Sequence, residues 1–223
     1  MTRPLLNLDA GERDDEPAEL WQLVDVLAIA CGGHAGDAAS MARVIAACPG
    51  QQLGAHPSYP DREGFGRRSI AIAHDALATA IEAQCAALAV AASSAGRRVL
   101  WVKPHGALYH DAARSQELAE TVLGAARAAL GDAVGVIGPP RGALHDVAAA
   151  RGLRYLREGF ADRALRPDGS LVPRGEPGAL IVDPAAAAAQ AQRLAADHDT
   201  ICMHADTPGA LAIARAVREA LGG

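Results

Sequence analysis

The sequence predicts an α/β fold in which about seven parallel strands, each returned by a helix, close into an irregular (β/α) barrel. A single barrel domain would take in residues 1–223. Three observations predict it. Apolar runs begin near Leu5, Val26, Gln52, Val99, Val134, Leu153 and Thr200, each followed by a helical segment. The alternation never breaks into a second pattern. Six of the seven runs end in charged or imidazole side chains, which a closed barrel collects on one rim and an open doubly wound sheet only partly collects.

Taken in order, Leu5-Leu6-Asn7-Leu8-Asp9 alternates apolar with polar and delivers Asn7, Asp9 and Glu12 to its far end. Val26–Cys31 reads as a buried strand that breaks at Gly32-Gly33 and presents His34 and Asp37, before a helix from Ala38 to Cys48. Gln52–His56 stops at Pro57, and a charged loop, Tyr59–Arg68, follows. Leu77, Ile81, Cys85, Leu88 and Ala92 recur at helical spacing within a helix from His74 to Ser94. Val99–Val102 then runs into Lys103 and His105, with Pro104 and Gly106 breaking the strand. Beyond Tyr109 a helix carries Leu118, Val122, Ala126 and Leu130, and the Val134–Gly138 strand ends on Pro139-Pro140 without a chemically active group.

A helix from Arg141 to Arg151 precedes the run from Leu153 to Arg163, whose distal end holds Glu158, Asp162 and Arg163. The Gly- and Pro-rich stretch Arg166–Gly175 has the composition of a lid. Asp183-Pro184 has the form of a helix N-cap with proline at the first helical position, opening an alanine-rich helix to about Ala196. Thr200–Met203 ends at His204-Ala205-Asp206, and Thr207-Pro208 opens the last helix.

Half of the residues are hydrophobic, so a substantial core is within reach, built from Leu, Val, Ile and Ala because aromatics supply only 3%. A net charge of -5 without a lysine-rich block argues against nucleic-acid or acidic-membrane partners. Cys31, Cys48, Cys85 and Cys202 form no CxxC pair and read as buried free thiols. Neither a signal peptide nor a membrane span is evident, so a cytoplasmic, soluble protein is expected. There is no GxxxxGK[ST], no GxGxxG after a strand and no HExxH. His34, His56, His105 and His204 end strands, whereas His74, His110, His145 and His198 read as surface residues. The rim can hold a divalent cation or activate water by general-base action, and spacing does not choose between these. Lys103, Arg67, Arg68, Arg163 and Arg174 suit a small carboxylate or phosphate substrate.

Seven stretches, spread over nearly the whole chain, resemble the LamB/YcsF family: Asn7–Glu12, Ile29–Asp37, Gly54–Asp61, Gly64–Arg68, Val102–Tyr109, Glu158–Arg163 and Asp168–Arg174. The resemblance implies an irregular barrel related to glycoside hydrolase and deacetylase barrels. It also implies the ATP-dependent opening of the lactam of 5-oxo-L-proline to L-glutamate, with two partner subunits of a 5-oxoprolinase. The chain departs from the family pattern at Leu5, where Asp is usual, at Gly33, where an aromatic stands, and at Ala205, where Gly stands.

On that reading Asp9, Glu12, Lys103, His105 and Glu158 are catalytic candidates. Asn7, His34, His56, Arg67, Arg68, Arg163, Arg174, His204 and Asp206 are substrate-binding candidates. Lys103 and an arginine would hold carboxylate or phosphate, while Asp9, Glu12 or a rim histidine activates water or positions a metal. Asp9, His34 and His56 are the candidate ligands of a divalent metal. ATP with Mg would bind here or through the partner subunits. The alternatives are a metal-dependent amidase or deacetylase, and a non-catalytic lactam- or sugar-binding regulatory partner.

Overall fold

The computed structural model describes residues 3–223. Seven parallel strands close into a barrel in sequence order: β1 (Leu5–Ala10), β2 (Val26–Ala30), β3 (Gln52–His56), β4 (Val99–Val102), β5 (Gly135–Gly138), β6 (Tyr155–Phe160) and β7 (Thr200–His204). β7 pairs with β1, Asp9 standing opposite His204, so first and last strands complete the ring. All seven predicted strands are present, with β5 and β6 starting one and two residues later than read. Among the described residues no eighth strand interrupts the closure.

The helices are α1 (Ala18–Gln22), α2 (Ala38–Ala47), α3 (His74–Ser94), α4 (Gly106–Arg114), α5 (Gln116–Leu130), α6 (Ala143–Ala150), α7 (Pro184–Leu194) and α8 (Ala210–Ala220). Two go beyond the sequence reading. α1 occupies a stretch without a clear periodic signal, and α4 starts directly at Gly106, so the helix expected beyond Tyr109 is two helices parted at Ser115. That serine caps α5 by accepting from Leu118 N–H at 3.3 Å. α3 is long and apolar enough to cross a membrane by composition. Here Leu77, Ile81, Cys85, Leu88 and Ala92 lie at zero exposure along one stripe packed into the main core, and its other faces are largely alanine.

Side chains two apart on a strand share a face, so the barrel interior stacks in layers. Leu5, Val26, Trp101, Ile137 and Leu156 form an apolar floor that is separate from the main core between barrel and helices. Trp101 fits because Gly54 and Gly135 stand beside it; a Cβ on Gly135 would lie 2.3 Å from the indole ring. Two residues further along come Asn7, Lys103, Glu158 and Cys202, and beyond them Asp9, His56, Phe160 and His204. The middle layer is polar where other barrels are aliphatic, and it raises the functional groups above a dry floor.

Candidate active site

Lys103 lies at the centre of the site, 2% exposed. Its Nζ donates to Asp9 Oδ1 at 2.6 Å and Asn7 Oδ1 at 3.1 Å, lies 2.8 Å from Glu158 Oε1, and approaches Cys202 Sγ at 3.1 Å. Burial alone would lower the ammonium pKa, but Asp9, Cys202 and Glu158 hold it well above its usual value. Burial likewise pushes Asp9 upward, and His56 and Lys103 outweigh it, holding the carboxyl well below its ordinary range. Lysine is therefore a cation and Asp9 an anion. Asn7, whose Nδ2 donates to Thr200 Oγ1 at 2.9 Å, positions Lys103 from below.

On one side of Asp9 stand three histidines and Glu12. Glu12 Oε1 is 2.8 Å from His34 Nε2, 3.2 Å from His105 Nδ1 and 3.8 Å from His56 Nε2. His56 Nδ1 lies 2.7 Å from Lys103 O, and His105 Nε2 lies 3.0 Å from Phe65 O. These two rings therefore give their N–H to a carbonyl and turn the other nitrogen inward. Burial lowers the His34 pKa to about 3, so this ring is neutral at pH 7. Burial also lowers His105, against the pull of Glu12.

On the other side, His204 gives Nδ1–H to Asp162 Oδ1 at 2.8 Å and turns Nε2 towards Asp9 Oδ2, 3.7 Å away. Asp162 is fully buried and also accepts from His204 N–H and Thr207 Oγ1. Burial opposes charge on His204, but Asp162 and Asp9 raise its pKa. Phe160 stacks against the imidazole at 5.7 Å between centroids.

The loop after β3 is shaped for this site. Phe65 adopts φ 54, left-handed backbone that a bulky residue rarely takes, and its carbonyl fixes His105. Gly106, at φ 56, lets the backbone of α4 meet that loop: a Cβ there would lie 2.4 Å from Gly66 O. Glu16, which carries no signal in the sequence beyond the Glu-Pro step into α1, accepts from Gly11, Glu12 and Arg13 N–H and from Trp21 Nε1. It ties down the turn that presents Glu12.

These groups open into a cleft of about 710 Å³. Asp9, Glu12, His56, Lys103, His105 and His204 form its floor, and Tyr109, Pro139, Pro140 and Leu171 give an apolar wall. Within the stretch that has the composition of a lid, Gly169–Arg174 line the cleft, and Arg174 is tied to Asp206 at 2.8 Å; Arg67 reaches the same carboxylate from the opposite loop at 2.7 Å. Arg163 is 7% exposed, its Nε without a hydrogen-bond partner, and burial and Arg174 push its pKa down to about 10. Glu158 Oε2 and the Tyr109 hydroxyl are also buried and unpartnered.

Of the predicted site residues, Asn7, His34, Arg68 and Asp206 do not line the cleft. Arg68 pairs with Asp61 on the outside. His110 and His198, read as surface residues, do line its outer wall. Gly33 has no room for the family's aromatic, because a Cβ would lie 2.3 Å from Gln84 Oε1, and Gln84 bonds Ser58 through both backbone N–H and C=O.

The profile of the LamB/YcsF family matches residues 6–223, nearly the whole barrel. The chain belongs to the LamB/YcsF family. Members resembling it include a 5-oxoprolinase subunit of Methylococcus capsulatus, 44% identical over 96% of this chain and 90% of the relative, and its counterpart in Streptomyces griseus, 43% identical over 97% and 94%. Among solved structures, the lactam utilization protein of Thermus thermophilus superposes with a TM-score of 0.89 at 34% identity, covering 99% of this chain and 96% of that one. The likeness to that structure covers the barrel and its closure.

Proposed function

We propose that this protein is the LamB/YcsF-type subunit of an ATP-dependent 5-oxoprolinase, working in the cytoplasm with two partner subunits to open 5-oxo-L-proline to L-glutamate. The observation that carries the reading is the likeness, over nine-tenths or more of each chain, to 5-oxoprolinase subunits. The cleft supports it chemically. 5-Oxoproline is a five-membered lactam, a cis amide with N–H and C=O side by side, its carboxylate on the ring carbon next to the nitrogen and two methylenes as its apolar edge. Glu158 Oε2, an unpartnered acceptor, and the Tyr109 hydroxyl, an unpartnered donor, suit the two sides of the amide. Arg163 suits the carboxylate, and Pro139, Pro140 and Leu171 suit the ring.

An amide is a poor electrophile, and ATP bound to the complex supplies a phosphoryl group to activate its oxygen. Arg163 with its free Nε, and Arg174 at the cleft mouth, fit such anionic groups, so part of the nucleotide's phosphate chain can be held here while the partner subunits hold the rest. The Asp162–His204 pair turns Nε2 towards the cleft floor, and the raised pKa of this imidazole suits it to hold and pass a proton there. The assay is glutamate release from 5-oxoproline by the three subunits together, with and without ATP. Release only with ATP is expected; none from the full set overturns the assignment, and ATP-independent release by this chain alone replaces it with an amidase. Replacing Tyr109 with Phe should raise KM roughly 5- to 30-fold, equivalent to about 1–2 kcal/mol for a buried acceptor left unpaired.

A further inference from the structure

We infer that Glu12 Oε1, His56 Nε2 and His105 Nδ1 form a three-ligand site for a borderline divalent cation, Zn²⁺ by preference. The inference goes beyond the oxoprolinase reading and does not depend on it. The three atoms lie 2.9, 3.2 and 3.8 Å from one another. Ligands on one tetrahedral zinc, at about 2.0–2.1 Å each, stand about 3.3 Å apart. The spacing is thus that of a coordination shell.

Tautomers point the same way. Because Lys103 O takes the Nδ1–H of His56 and Phe65 O takes the Nε2–H of His105, the inward nitrogens present lone pairs 2.9 Å apart, facing a carboxylate. Three lone pairs converging on a buried point repel unless a cation lies between them. The outer carbonyls are the supports that ligating imidazoles generally have. Charge agrees: Glu12 is paired with histidines alone, because Lys103 is committed to Asp9 and Glu158.

His34 belongs to the same cluster by distance but not by direction. Its ring is parallel to that of His105, with 1° between planes and centroids 3.5 Å apart. Lone pairs lying in two parallel planes do not meet at one ion. His34 instead gives Nε2–H to Glu12 at 2.8 Å and orients that carboxylate. Asp9 keeps Oδ1 on Lys103 and sets Oδ2 3.2 Å from His56 Nε2, beside this one ligand and outside the group of atoms that converges with Glu12 and His105. The set therefore keeps His56 from the ligands expected from sequence and replaces Asp9 and His34 with Glu12 and His105. Two imidazoles and one carboxylate leave a position open to solvent or substrate from the cleft.

The test is metal binding by the full chain, with Zn²⁺ and Co²⁺ as probes. Equilibrium dialysis with metal analysis should give one Zn²⁺ per chain, and X-ray absorption should count two imidazoles. His105→Ala and His56→Ala should weaken binding on the order of 1,000-fold, as measured by chelator competition, while His34→Gln weakens it about 10- to 100-fold. The Co²⁺ visible bands should keep their positions in His34→Gln. Circular dichroism establishes that each variant is folded, and the imidazole count on the unaltered chain stands if one is not. No retained zinc overturns the site in favour of a proton shared by His56 and His105. A count of three imidazoles, or His34→Gln as damaging as His105→Ala, overturns the ligand set. Glutamate release is measured separately, so failure of either reading leaves the other's result intact.

Discussion

Lys103 is bound to three anionic or carbonyl oxygens at the bottom of the cleft, and its loss exposes their mutual repulsion. Lys103→Met should cost about 3–5 kcal/mol in guanidinium unfolding, because it leaves Asp9 and Glu158 buried without their counter-charge. Adding Glu158→Gln should recover part of that loss, so the double variant is more stable than the single one. The Asp162–His204 pair gives a prediction in pH. The raised His204 pKa contributes stability that is complete below about pH 6.5 and is lost as pH rises through the raised value. Asp162 is the converse: burial pushes it up, but His204 and Thr207 hold it low, so its stabilisation is present above about pH 4 and is lost as pH falls through the lowered value. Asp162→Asn should move the His204 titration, followed by its NMR imidazole signals, downward. An unchanged titration would remove Asp162 as its cause.

At the scale of elements, the strand ends were legible because a buried apolar run that stops at His, Asp or Lys has few other uses. Lys103 and His105 after Val99–Val102 are the clearest case, and Asp9 after Leu5–Leu8 the next. Reading the same strands at period two would also have shown the layer below, with Asn7 and Cys202 one step under Asp9 and His204. The start of α4 was not legible. Pro104 and Gly106 read as breakers, yet Gly106 is required at φ 56 because only a residue without Cβ lets α4 approach the Phe65 loop. Gly106→Ala should therefore lower the melting temperature by at least about 2–4 °C and disturb His105, a loss that Ala substitution at Gly50, which has open space around it and no left-handed backbone, should not reproduce. The lid composition of Arg166–Gly175 was visible, but its anchor was not, since Asp206 lies in another loop. Asp206→Asn should free that segment, and trypsin should cut after Arg174 faster than in the unaltered chain.

At the scale of the molecule, the site is a property of closure. Asp9 comes from β1, His56 from β3, Lys103 from the end of β4, Glu158 from β6 and His204 from β7, so no fragment of the sheet holds the set. This is why sequence could inventory the rim but not assign partners: which carboxylate faces which imidazole depends on the stagger of strands nearly two hundred residues apart. Glu16 shows the same limit, since its four donors meet only after α1 has packed. His34, a strand-end histidine, stands outside the cleft lining and reaches the site through Glu12.

The pairing of β1 with β7 has a consequence for biosynthesis. Asn7 meets Thr200 and Asp9 meets His204 only after the chain has been made through β7. Until then a nascent chain carries one open parallel edge at β1 and another at the most recently made strand. It also holds the carboxylates of Asp9 and Glu158 in a half-formed tube. Such edges invite pairing with other chains, and closure at high contact order is slow. Ribosomes translating this message should therefore display an aggregation-prone species until β7 is made, and a holdase that shields it should raise the yield of folded protein.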